Sequence, residues 1–123
     1  MLLLYDVLRW EEKSFIEAAG KLGVELKPLH VPSLCSKVGE TNTEDIVLQR
    51  CTRFYNALES AIFMESLGAD VINRSDAIMI CQDKLWTTSI LARKGIPVPN
   101  TYVAFSHESV RKAADVLGYT FVI

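Results

Sequence analysis

Cysteine is scarce and scattered: Cys35, Cys51 and Cys81 are the only three in 123 residues. No CxxC spacing and no Cys/His cluster occurs, so neither a zinc site nor a disulfide framework is supported, and a reducing cytoplasm is the plain expectation. The two histidines, His30 and His107, show no metal-ligand spacing. Excess charge is lacking as well. Thirteen basic and fifteen acidic residues leave a formal net charge of -2, with the basic residues dispersed, which disfavours a nucleic-acid partner. No apolar run approaches the ~20 residues of a membrane span. The opening "MLLLYD" is too short, and lacks the basic flank, for a secretory signal. Glycine is missing where nucleotide-binding folds concentrate it. No GxGxxG follows "LLLY" and no GxxxxGK[ST] occurs, which disfavours dinucleotide and P-loop binding in their usual forms. A phospho-accepting receiver domain is disfavoured too, because "YDVLRW" supplies a single early aspartate and "DIVLQR" ends in arginine.

What is present is half hydrophobic and strongly patterned, as expected of one ordinary globular domain. "LLLYD" reads as a strand. Phe15, Ala18, Ala19 and Leu22 then fall at helical spacing, an amphipathic helix stopped by Gly23. "VELKPLH" reads as a second strand, at a sheet edge because Pro28 cannot donate to a ladder. The polar stretch 33–44 reads as a loop and "DIVLQR" as a third strand. Phe54, Ala57, Leu58 and Ala61 repeat the helical spacing up to Gly68; "DVIN" is a fourth strand, and Ser75 is placed to cap a helix through Ile80. A helix from Asp83-Lys84 ends at Arg93-Lys94-Gly95, followed by Pro97 and Pro99. "TYVAF" is expected as a strand, Ser106 as the cap of a helix through Leu117, and "YTFVI" as a last strand. This alternation predicts an α/β fold, a parallel sheet with helices on both faces, whose ligands bind at the carboxyl ends of the strands. "FVI" stops in mid-strand, which leads us to expect a truncated chain.

Candidate functional residues follow from that placement. Lys84 stands in the first turn of a helix, where a cation is unfavourable by a few tenths of a kcal/mol unless an anion lies nearby. Either it extends into solvent beside a capping Asp83, or it faces a phosphate at the helix start. The turn after the first strand, "YDVLRWEEK", offers Arg9 to fork onto a carboxylate or phosphate and Trp10 to wall a pocket. Alternatively Glu11 and Glu12 complement the helix terminus and Trp10 staples helix to sheet. Arg50 and Asn73 end the third and fourth strands, as ligands or as solvated turn residues. Cys51, beside Arg50, is positioned for a lowered pKa, but no histidine accompanies it in sequence.

The run from "VLQRC" through "NALESAIFMESLGADVINRSDAIMICQDKLWTTSILARKGIPVPNTYVAF" to "AADVLGYTFVI" resembles the ATP-grasp ligases. The likeness rests on an Asn ending a strand, then "DKL", a helix, "GIPVP", a strand, a helix and "GYTFVI". "YDVLRWEEK" and "QRC" draw it toward the amino-group carrier ligases of the LysX/ArgX group, relatives of the RimK-type glutamate ligases. The resemblance implies a Rossmann-like pre-ATP-grasp domain over residues 1–97 and the start of an ATP-grasp subdomain over 98–123. It also implies that Lys84 of "DKL" contacts ATP phosphate. The activity implied is amide formation between α-aminoadipate or glutamate and the C-terminal glutamate of a LysW-type acidic carrier protein through an acyl-phosphate, in lysine or arginine biosynthesis. ATP and Mg²⁺ are the implied cofactors, and a homo-oligomer the implied assembly. Arg9, Trp10, Arg50 and Asn73 are the candidates on the substrate or carrier side. The family's second ATP lysine, glycine-rich loop and Mg²⁺ ligands are not found in these residues, so the stretch alone is expected to be inactive. A RimK-type ligase with another acceptor and a non-catalytic α/β interaction module are the alternatives.

Overall fold

A computed structural model describes residues 1–39, 44–118 and 120. Four short strands form one parallel sheet: β1 (Leu2–Tyr5), β2 (Lys27–His30), β3 (Ile46–Gln49) and β4 (Asp70–Ile72), in the order β2-β1-β3-β4. Helix α1 (Trp10–Lys21) connects β1 to β2, and α2 (Phe54–Ser66) connects β3 to β4. The first crossover steps one way along the sheet and the second steps the other way. With right-handed crossovers this puts α1 and α2 on opposite faces, as the alternation predicted. β2 is an edge strand, where Pro28 is tolerated.

The main core lies between the sheet and α2. Leu2, Leu4, Val47 and Val71 project from one sheet face, by the two-residue period of strands, onto Ala61, Met64 and Ala69. Leu3, fully buried, belongs to the other face. The apolar face expected for α1 is not buried: Phe15, Ala18 and Leu22 are exposed, and the buried residue of this helix is Glu12. Periodicity reports which side chains share a face; it does not supply a surface to cover them.

The helix ends follow the sequence closely. After α1, Val24 N–H bonds Ala19 O and Gly23 N–H bonds Gly20 O, with Gly23 left-handed at φ 68°. The same paired closure ends α2 at Gly68. Helix α3 (Ser75–Gln82) runs past the expected Ile80, and Ser75 is its first residue. Its start is instead held from α2, where the Glu65 carboxylate accepts from the Ser75 amide at 2.9 Å and from its hydroxyl.

The chain divides into two compact units, Met1–Gln82 and Asp83–Ile123. In the second, α4 (Lys84–Arg93) is capped by Asp83 Oδ1, which accepts from Trp86 N at 2.8 Å, and closes at Gly95 with the same motif as α1. Helix α5 (His107–Leu117) is capped by Ser106, whose Oγ accepts from Ser109 N at 3.1 Å. Residues 101–105 form no strand. An extended segment becomes a strand only by pairing, and none of the described residues pairs with this one. The expected strand "YTFVI" lies outside the described residues except for Thr120. Among the described residues no helix is long and apolar enough to cross a membrane.

Candidate functional site

β1 leads outward to β2 on one side while β3 lies on the other, so the crevice between the carboxyl ends of β1 and β3 is the switch point of this sheet. The residues gathered there come from three turns. Asp6 follows β1 and is almost fully buried. One of its oxygens accepts from Thr52 N at 2.9 Å and Thr52 Oγ1 at 3.0 Å, the other from Arg53 N at 2.9 Å and Asn56 Nδ2 at 3.2 Å. Burial alone would raise its pKa, but the Thr52 and Arg53 amides, with the Thr52 hydroxyl and Asn56, outweigh it and hold the carboxyl at about 2. Asp6 thus ties the β1 turn to the start of α2, leaving it no role as a base near neutral pH.

Glu12 is fully buried. Its Oε1 accepts from Arg9 Nη2 at 2.9 Å, its Oε2 from Arg9 Nε at 3.1 Å, and the same Oε2 caps α1 by accepting from Arg9 N at 3.1 Å. Arg50, arriving at the end of β3, adds Nε to Oε1 at 3.3 Å. The Arg9 side chain is the main reason that the Glu12 pKa falls to about 2, and Glu12 in turn raises that of Arg9. The Arg50 guanidinium also lies over the Phe15 ring, 5.5 Å from its centroid. The backbone N–H of Arg50 bonds Leu4 O at 2.9 Å, which locks the residue's position to β1.

Gln49 braces the floor. Its Nε2 donates to Ala57 O at 3.0 Å and Ser60 Oγ at 2.6 Å, while its Oε1 accepts from Cys51 N at 2.7 Å. Cys51 departs from expectation. Burial, reinforced by the nearby Asp6 carboxylate, pushes its thiol up to about 12 rather than down, so it is not an activated nucleophile.

Arg9, Gln49, Arg50 and Cys51 border a cleft of about 370 Å³, with Asn73 also in its lining and Phe54, Ala77 and Ile78 forming an apolar side. Three residues expected from the strand ends therefore converge. Trp10, mostly exposed on the first turn of α1, does not line the cleft. Lys84 belongs to the second unit, where it opens α4 with an exposed side chain and no ion pair among the described residues. Asp6 and Glu12 stood in the candidate turn after the first strand without being assigned a site role, and Gln49 was not singled out in the sequence. The available signals were weak: an Arg-x-x-Glu spacing at a helix start, and an aspartate directly after the first strand. Among the described residues no group of three or more His, Cys, Asp or Glu side chains is placed to hold a metal ion.

A parallel sheet with an arginine-lined cleft at its switch point is the architecture of a Rossmann-like ligand-binding domain. Residues 1–80 match the family model described as the LysX preATP-grasp domain, and the chain belongs to that family. It is 37% identical over 126 residues to "Alpha-aminoadipate--LysW ligase LysX" of Sulfurisphaera tokodaii, covering 98% of this chain and 44% of that protein. It is 31% identical over 121 residues to "Glutamate--LysW ligase ArgX" of Sulfolobus acidocaldarius, covering 98% of this chain and 43% of that protein. Among solved structures it is similar to a RimK domain protein ATP-grasp from Sphaerobacter thermophilus, with TM-score 0.74 and 26% identity over 96% of this chain and 46% of that one. The chain thus spans less than half the length of these curated relatives.

Proposed function

We propose that this chain serves in an ATP-dependent carboxylate–amine ligase that joins the α-amino group of α-aminoadipate or glutamate to the C-terminal glutamate of a LysW-type carrier protein. The observation that carries the reading is the match of nearly the whole chain to ligases named for that reaction, together with the family match over residues 1–80. In the proposed chemistry a carboxylate oxygen attacks the γ-phosphorus of ATP, ADP leaves, and an acyl-phosphate forms. The amine then attacks the acyl carbon and expels phosphate, giving the amide. ATP supplies the phosphoryl group, and Mg²⁺ would neutralise charge on it.

The described residues do not offer a metal site, so we assign Mg²⁺ to none of them. Lys84 fits a phosphate contact better. Its ammonium is exposed at the start of α4, where the helix dipole disfavours a cation and an anion would reverse the balance. We assign Arg9, Arg50 and Asn73 to the substrate or carrier side, and leave Trp10 as a peripheral contact. Residues 98–123 are read as the opening of the ATP-grasp subdomain, after a pre-ATP-grasp domain ending near residue 97. Three unbridged cysteines are consistent with a reducing, cytoplasmic setting. A RimK-type acceptor is the second reading, favoured by the RimK domain neighbour.

The test is ADP release by the full-length protein given ATP, Mg²⁺, a glutamate-terminated carrier and either amino acid. Release that requires both carrier and one amino acid is the expected result and names the substrate. No release with either amino acid would overturn the reading. Residues 1–123 by themselves are expected to release none.

A further inference from the structure

We infer that the cleft at the carboxyl edge of the sheet binds a carboxylate carried on an aliphatic stem, with Arg50 as the principal donor and Arg9 as its fixed neighbour; this rests on the ligase reading above and divides its labour. Two arginines and no acidic side chain line the cleft, and Glu12 offsets their charge from behind, so selection falls to whichever donors remain uncommitted. The two cations are not equivalent. Arg9 commits both Nε and Nη2 to Glu12, at 3.1 and 2.9 Å, whereas Arg50 commits only Nε, at 3.3 Å. The terminal nitrogens of Arg50 make no hydrogen bond among the described residues, and its side chain is 35% exposed. Yet the group is held in place, by fully buried Glu12 on one side and by the Phe15 ring 5.5 Å away.

A guanidinium fixed through Nε with its two outer nitrogens free is the fork that a carboxylate meets bidentately. Holding it in advance lowers the ordering cost that a mobile surface arginine would meet on binding. The remainder of the lining separates a carboxylate on a carbon chain from a bare phosphate. Phe54, Ala57, Ala77 and Ile78 offer an apolar wall that methylene groups can cover, and Asn73 adds a polar group at the same edge. A volume of about 370 Å³ is ample for a small dicarboxylic acid or a terminal residue. The carboxylate has two sources in the proposed reaction, the free amino acid and the carrier's C-terminus, and binding separates them.

The experiment is calorimetric titration of the full-length protein with α-aminoadipate, with glutamate, with an acidic peptide ending in glutamate, and with ATP. We expect the wild type to bind at least one carboxylate probe; whichever probe Arg50→Ala weakens, roughly 10- to 100-fold, names the source. Arg9→Ala should weaken the same probe less, Arg50→Lys should fall between wild type and Arg50→Ala, and ATP affinity should stay within about twofold. Unchanged carboxylate affinity in Arg50→Ala, an equal loss of ATP affinity, or no carboxylate binding by the wild type would overturn the inference. Should Arg50→Ala fail to fold by circular dichroism, Arg50→Lys decides alone, since it keeps the charge and removes the fork. A wild type that binds a carboxylate probe but releases no ADP sinks the ligase reading and leaves the site standing. ADP release with intact affinity in Arg50→Ala sinks only the site.

Discussion

Glu12 and Asp6 are buried carboxylates that stay ionised because of what surrounds them, and that gives the molecule a pH signature. Both carboxyls are held at about 2, against ordinary values of 4.5 and 3.8. A depressed folded-state pKa contributes stability that is fully present above the unfolded value and is lost as the pH falls through the folded one. Thermal stability should therefore be flat near neutral pH and fall as pH drops from about 4.5 toward 2. Glu12→Gln should flatten part of that slope. It should also cost about 1–3 kcal/mol at neutral pH, at the lower end of buried ion-pair losses because both arginines can reach solvent. Melting temperatures of both proteins across that range check the sign. Lys84 makes the opposite case. Removing an exposed cation from a helix start relieves a small unfavourable term, so Lys84→Ala should leave the melting temperature unchanged or slightly raised. If it meets phosphate, the KM for ATP should rise about tenfold or more, and an unchanged KM would remove that role. Arg9, Arg50 and Asn73 were legible in the sequence as residues that meet at one edge, because a parallel sheet gathers its strand ends there. Glu12 was not. A glutamate in a first helical turn reads as a complement to the dipole, and only folding brings Arg50, from a distant strand, onto it.

At the scale of elements, local chemistry was decisive wherever the signal is local. Gly23, Gly68 and Gly95 end three helices with the same two backbone bonds, and each was placed from the sequence. At Gly68, φ is 92°, a conformation that a Cβ resists, although nothing within 4 Å would obstruct one. Gly68→Ala should therefore destabilise the first unit by about 1 kcal/mol through backbone strain alone. Denaturant unfolding would measure it, and no loss would contradict the closure described here. Asp83 and Ser106 were likewise recognisable as caps. Features that depend on a partner surface were less legible. Residues 101–105 have strand-like composition but nothing to pair with among the described residues. Phe15 lies at helical spacing with Ala18 and Leu22 but stays 42% exposed, with the Arg50 guanidinium over its ring. The Cys51 thiol belongs here as well: a neighbouring arginine in sequence suggested a lowered pKa, while burial and Asp6 raise it.

In the whole molecule, the sheet order carries the argument. Order β2-β1-β3-β4 opens one crevice, at the carboxyl ends of β1 and β3. The turns that end there bring Asp6, Arg9 and Arg50 together, while Asp6 and Gln49 spend their hydrogen bonds on holding the turns. The family match over residues 1–80 falls on this unit. The α/β class was readable from alternating strands and helices, because right-handed crossovers leave few topologies. The most direct test of the proposed chemistry is an isotope-transfer measurement. The full-length protein is given ATP, the amino acid, and a carrier whose terminal glutamate carboxylate is labelled with ¹⁸O, and the released phosphate is analysed. Activation through an acyl-phosphate predicts that each phosphate released with amide formation carries one oxygen from that carboxylate. Amide formation with unlabelled phosphate would contradict the account.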